Sequence, residues 1–204
     1  MMMLYATPLS HYSRKVRILL DLWQLPYQFV DIGNVTNTDQ DVFAGNPLMK
    51  VPVLVDGSQW IIDSDIIAQY LVEKYDPKDR YRVKELDWAR LNIRAVMNGM
   101  MQEEVKLILA KRTGVPIDQY EFFHKSKQVL SQGLNWLETN ASNFDSKNPG
   151  YLEFHLLCLW EHLDFFHFID QSLDLPQLRF IYHELSQQPS IQKTSFHLLR
   201  RKKT

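Results

Sequence analysis

Asn46-Pro47-Leu48-Met49-Lys50-Val51-Pro52-Val53-Leu54, followed eleven residues past Pro52 by Asp63-Ser64, is the stretch that decides how this chain is read. A valine before a proline is pushed into extended backbone, and an X-Pro bond is where a cis peptide costs least. If Val51-Pro52 is cis, the Val51 N–H and C=O turn outward and can pair with a bound peptide as one more strand would. Asp63-Ser64 stands just ahead of Ile66, Ile67, Tyr70 and Leu71, a helical spacing. A helix start offers unpaired N–H groups and the positive end of a dipole, which suit a carboxylate. The two features together read as a site for a small peptide that carries a carboxylate.

Working outward, residues 4–7 form a short strand candidate. Residues 12–25 carry Val16, Leu19, Leu20 and Trp23 at helical spacing, and 27–32 are again strand-like. That is a β-α-β unit with parallel strands. Residues 53–55 and 60–62 flank Asp56-Gly57-Ser58-Gln59, whose Asp-Gly pair signals a hairpin turn, and a helix over 65–75 follows. The order β-α-β then β-β-α, with proline entering the third strand, predicts a thioredoxin-like α/β domain over residues 1–76.

Asp76-Pro77-Lys78-Asp79 breaks the pattern, so 77–82 reads as a linker and 83–204 as an all-α helical bundle. A long helix over 83–112 turns Leu86, Ile93, Val96, Met97, Met100 and Leu107 to one side and ends at Gly114-Val115-Pro116. Asp118 and Glu121 resemble a capping box, opening a helix with Phe123, Leu130, Leu134 and Leu137 inward. Asn148-Pro149 opens a third, Phe-rich helix whose run Phe165-Phe166-His167-Phe168 is expected at the bundle centre, and Pro176 begins a fourth.

With 204 residues the chain can bury a core without disulfide or metal support. Its single cysteine, Cys158, lies in an apolar run and reads as a buried thiol in a reducing, cytoplasmic setting. No apolar run reaches the length of a membrane span, so no membrane partner is expected. A net charge of -1 gives no basic field for nucleic acid, and the tail Arg200-Arg201-Lys202-Lys203 reads as solvated charge. His155, His162 and His167, with Glu153, Glu161 and Asp164 nearby, match no zinc spacing, and no metal is expected. Met97, Met100 and Met101 read as core.

In a thioredoxin-like domain the loop after the first strand faces the proline loop, and here it contains Ser10-His11-Tyr12-Ser13. The spacing is that of a Cys-x-x-Cys motif with serine at both ends, which excludes dithiol chemistry at this position. A hydroxyl can still donate a hydrogen bond to a sulfur anion. Helix capping is the competing role for both serines, preferred for Ser13 and not for Ser10.

On these motifs the chain resembles the cytosolic glutathione transferases, most clearly over residues 3–76. The resemblance implies a thioredoxin-like domain that binds glutathione as co-substrate and a helical domain that supplies the pocket for a small apolar electrophile. It also implies a homodimer and a detoxifying role. Carried over by motif, catalytic Ser10 contacts the glutathione sulfur, with Tyr5 as its rival. Val51 before Pro52 pairs with the cysteinyl backbone, Asp63 and Ser64 hold the γ-glutamyl end, and Lys50 reaches the glycyl carboxylate. Two departures stand out. Met49 occupies a position where the pattern usually has glycine. Gly150 stands where a helix of the second domain usually has a Ser or Thr cap, leaving Asn148 as the alternative cap. The alternatives to a transferase are a non-catalytic binding protein like the stringent starvation proteins, or a glutathione-dependent isomerase or peroxidase. Intact Ser10, Val51, Pro52, Asp63 and Ser64 argue against the first, and Ser10-His11-Tyr12 in place of Ser-Ser-Cys argues against an isomerase of the maleylacetoacetate type.

Overall fold

Burial alternates along the first strand: Met2, Leu4 and Ala6 are buried, while Met3 and Tyr5 are partly exposed. That period of two forces one face of a sheet against a core. The structure, a computed structural model, describes residues 1–196 and Leu198. The basic residues 200–203 lie outside them. By contact the chain divides into two units: Met1–Lys84 with the described residues from Pro189 on, and Glu85–Gln188.

The first unit runs β1 (Met2–Ala6), α1 (His11–Leu22), β2 (Tyr27–Asp31), a short 3-10 turn at Gln40–Phe43, β3 (Val53–Asp56), β4 (Gln59–Ile62) and α2 (Ser64–Tyr75). This is the expected thioredoxin-like order. The four strands lie in the order β2-β1-β3-β4, with β1 parallel to β2, antiparallel to β3, and β3 antiparallel to β4. One row across the sheet is Phe29, Leu4, Leu54 and Ile61. These four pack in a cluster with Val16 and Leu20 of α1 and Ile67 and Leu71 of α2, so both helices cover the same face. The helix α1 ends in a Schellman turn: Leu25 N–H donates to Leu20 C=O and Gln24 N–H to Asp21 C=O, with Gln24 left-handed at φ 54°.

The hairpin between β3 and β4 closes through Gly57, whose φ of 62° only glycine adopts freely. It is tied to the end of α2 through Asp56. One oxygen of that carboxylate accepts hydrogen bonds from Lys74 Nζ at 2.7 Å, Tyr70 Oη at 2.9 Å and Tyr75 Oη at 3.0 Å.

A last short helix, α7 (Pro189–Gln192), packs on α1 in this same unit. Arg14, fully buried in α1, donates from Nε to Thr194 Oγ1 at 3.2 Å, and its guanidinium lies 4.8 Å over the Phe196 ring.

The second unit is α3 (Trp88–Arg112), α4 (Glu121–Thr139), α5 (Tyr151–Phe165) and α6 (Pro176–Ser186). No strand occurs in it. Several details depart from the sequence expectations. Helix α3 starts at Trp88, because Asp87 accepts the Arg90 N–H as its cap. Leu86 therefore precedes the helix and is 85% exposed. Asp118 caps nothing: it lies inside the 3-10 turn Ile117–Gln119 and bonds to Lys127, while Tyr120 precedes α4 without a side-chain cap. Asn148 is not the cap of α5. That place belongs to Gly150, whose N–H donates to Glu153 Oε2 at 2.8 Å; glycine has no side chain to return the bond.

Helix α5 is buried continuously from Tyr151 to Leu163 and forms the centre of its unit. The Phe-rich run sits at its end, where His167 (φ 59°, exposed) and Phe168 close a Schellman turn onto Asp164 and Leu163. Met97, Met100 and Met101 are core residues, and Cys158 is buried and forms no disulfide among the described residues. His162 Nδ1 lies 2.7 Å from Glu104 Oε1, where burial pushes the Glu104 carboxyl up. Among the described residues no helix is long and apolar enough to cross a membrane.

The Lys74 ammonium, first among several causes, holds the Asp56 carboxyl below its ordinary range. A depressed carboxyl contributes stability that is full above its unfolded value near ~3.9 and is lost as pH falls through the folded value. Thermal melts of Asp56→Asn should therefore show a lower Tm near neutrality and a smaller further loss below about pH 4 than the parent shows. Parallel acid limbs in the two proteins would remove Asp56 from this role.

Candidate functional site

Strand register brings the three sequence-predicted segments to one end of the sheet. The last fully paired row is Val30, Tyr5, Val53 and Ile62. One residue further out, β1 leaves toward Ser10, Pro52 enters β3, and Asp63 leaves β4. Neighbouring strands are ~4.8 Å apart, so the path from β1 to β4 measures roughly 10 Å, the length of an extended tripeptide.

Ser10 is the cap of α1. Its backbone is extended (φ -72°, ψ 113°), and its Oγ accepts the Ser13 N–H at 3.1 Å. Capping therefore falls to Ser10, and Ser13, the serine expected to cap, is the donor three residues inside the helix. The Ser13 hydroxyl is buried with no partner among the described residues. Accepting an N–H does not consume the Ser10 proton, because a hydroxyl has one donor and two acceptor sites. Tyr5 lies in the last paired row, half-buried on the sheet face opposite Leu4 and Ala6.

Val51-Pro52 is cis. Among the described residues no hydrogen bond takes the Val51 N–H or C=O. The loop before it is built by Asn46, which is 2% exposed. Its C=O accepts the Met49 N–H at 2.9 Å, its Oδ1 accepts the Leu48 N–H at 3.0 Å, and its Nδ2 donates to the Lys50 C=O at 2.8 Å. Met49 is left-handed, with φ 48°. That is the conformation glycine would take at lower cost, so the departure at Met49 keeps the backbone that the pattern requires. The Lys50 side chain is exposed and has no ion pair among the described residues.

Asp63 caps α2: Oδ1 accepts the Asp65 N–H at 2.8 Å and the Ile66 N–H at 3.2 Å. Its second oxygen takes no hydrogen bond among the described residues and the residue is exposed. Its backbone, φ 71° and ψ 132°, is one that side-chain-bearing residues rarely adopt and costs about 1–3 kcal/mol. Ser64, the first residue of α2, is buried. Behind both, fully buried Lys15 of α1 donates to Asp65 Oδ1 at 2.9 Å, locking the start of α2 to the helix that carries Ser10.

The geometry is a strand-like peptide edge between two capped helix starts. A family model described as the Glutathione S-transferase N-terminal domain matches residues 4–79. Glutathione S-transferase Z1 of Arabidopsis thaliana is 36% identical over 162 residues, covering 77% of this chain and 72% of that protein. The chain belongs to the glutathione S-transferase family. It is also 26% identical over 173 residues to Glutathione S-transferase T2 of Arabidopsis thaliana; this covers 76% of the chain but only 29% of that longer relative. A glutathione transferase family member from Pseudomonas fluorescens Pf-5, solved with bound glutathione, is 28% identical, with a TM-score of 0.74 over 96% of this chain and 98% of that one.

Two residues of this candidate site escaped the sequence reading. Asn46 belonged to the quoted stretch without a role, although Asn-Pro is a turn signal. Lys15 had no local signal, because its partner is 50 residues away.

Asp63 can be tested as a cap independently of any ligand. Asp63→Asn keeps an acceptor oxygen and tolerates positive φ, so it should melt like the parent. Asp63→Ala loses the cap and retains the strain, and should cost about 1 kcal/mol. An alanine variant as stable as the parent would show that the cap does not hold α2.

Proposed function

We propose that this chain is a glutathione transferase, binding glutathione along the free Val51 edge and activating its sulfur at the start of α1. The convergence of Ser10, Val51-Pro52 and Asp63-Ser64 on one sheet end carries this reading. In it the Val51 N–H and C=O pair with the cysteinyl backbone. The unbonded Asp63 oxygen meets the γ-glutamyl ammonium, and Ser64 at the start of α2 meets its carboxylate. The Lys50 ammonium reaches the glycyl carboxylate.

A thiol of ordinary pKa ~8.5 is only a few per cent ionised near neutrality. Ser10 donates its free proton to the sulfur anion while its lone pair holds the Ser13 N–H, and that N–H polarises the hydroxyl into a better donor. The thiol proton passes to solvent, and the thiolate attacks a small apolar electrophile, displacing a leaving group or opening a strained ring. The protein acts as a cytoplasmic homodimer in detoxification, needing neither metal nor nucleic acid.

The test is a turnover screen with glutathione against aryl halides, epoxides, organic peroxides and mixed disulfides. Ser10→Gly is the informative variant, since glycine forfeits the donor but costs only a few tenths of a kcal/mol as a cap. One hydrogen bond to a charged sulfur is worth about 1.5–3 kcal/mol, so kcat/KM should fall roughly 10- to 100-fold with glutathione still retained. Tyr5→Phe should keep activity. A tyrosine variant that is dead beside an active Ser10→Gly would transfer the sulfur contact to Tyr5, and glutathione retention without any turnover would reject the transferase reading.

Sedimentation at micromolar concentration should give a species of twice the 24.2 kDa chain mass. A single species at the chain mass would reject the dimer.

A further inference from the structure

We propose that Asn46 is a positioning residue that aims the Val51 N–H at the ligand by clamping the peptide unit on its other side. The inference rests on the reading of Val51 as the backbone contact of glutathione, and it adds the device that orients that contact.

A peptide unit is planar, and in the trans form its C=O and N–H point in opposite directions. Lys50 C=O and Val51 N–H belong to one such unit, and it is trans, since the cis bond is the next one. Whatever holds the Lys50 oxygen therefore sets where the Val51 N–H points. Asn46 Nδ2 holds that oxygen at 2.8 Å, from a side chain that is almost wholly buried. The N–H on the far side of the plane then faces away from Asn46 and has no partner among the described residues.

The clamp is itself held rigid. Pro47 occupies the second position of the turn that the Met49 N–H closes on Asn46 C=O, where its fixed φ is preorganised. The Asn46 N–H is spent on Phe43 C=O at 3.1 Å, and Oδ1 on the Leu48 N–H. Left-handed Met49 then reverses the chain and returns the Lys50 carbonyl to Nδ2. The side chain must both accept from Leu48 and donate to Lys50, at a fixed short reach. An amide of this length does both at neutral pH, whereas Asp accepts but does not donate and Gln is one carbon longer.

Asn46→Asp is the discriminating variant. It keeps shape and volume and the acceptor toward Leu48, but near neutrality it sets a carboxylate oxygen against the Lys50 carbonyl oxygen. When that carboxyl is protonated it becomes a donor and can restore the clamp; burial raises the pH at which this happens. In the free variant near neutral pH, 15N relaxation should report a loosened Val51 amide. Calorimetry should report a glutathione Kd raised about tenfold, the loss of one oriented hydrogen bond, with kcat at saturating glutathione changed less than about twofold. Both losses should recede as pH is lowered from about 7 to about 5, while the parent stays flat.

A role in loop stability alone would lower the Tm of the variant while leaving the Val51 amide ordered and the glutathione Kd unchanged in the folded protein, and that result overturns the proposal. If the variant does not fold, the parent decides. Saturating glutathione must shift the Val51 amide resonance, and the Asn46 side-chain protons must exchange slowly; failure of either overturns it. A parent that binds no glutathione while Val51 order still depends on Asn46 would reject the proposed function and leave the clamp standing.

Discussion

One row of side chains, Phe29, Leu4, Leu54 and Ile61, ties the first unit together. Because side chains alternate along a strand, burying this row against Val16, Leu20, Ile67 and Leu71 sets the register of all four strands at once. A slip of one residue would turn the row to solvent. The same register decides which residues leave the sheet at which end, and so brings the start of α1, the entry to β3 and the start of α2 to one end of the sheet. The candidate site is a consequence of how the core is filled.

In the proposed complex the backbone at that end does most of the recognition, and side chains orient it. Asp63 and Ser10 cap helix starts and thereby fix where the remaining amides point. Lys15 ties the two helix starts to each other through Asp65. Asn46 does for an extended segment what the caps do for the helices. The strained conformations at Met49 and Asp63 belong to the same pattern, since each is an unfavourable backbone held by hydrogen bonds around it. Such positions cluster where geometry has been favoured over local ease.

The Ser10 hydroxyl shows why a structural role and a chemical one need not compete. Capping uses a lone pair, whereas stabilising a thiolate uses the proton, so the cap orients the donor. Reading the two serines as alternatives, one for the helix and one for the sulfur, misplaced the cap on Ser13.

By itself the sequence determined what is local. The strand-like run from residue 4, the helical spacing of Val16, Leu19 and Leu20, Asp-Gly at the hairpin, Gly114 at the end of α3 and Pro176 at the start of α6 each act within a turn or two of chain. They yield the order of elements and, with the Val51-Pro52 and Asp63-Ser64 motifs, the parts of the site. Only the tertiary structure decided among neighbours with equal local credentials: Ser10 over Ser13, Gly150 over Asn148, Asp87 as a cap and Asp118 as none. It alone joined Lys15 to Asp65 and Arg14 to Thr194, the second pair 180 residues apart. Local propensities among such candidates differ by a kcal/mol or less, about the worth of a single cap, and packing chooses between them because burying a side chain is worth more.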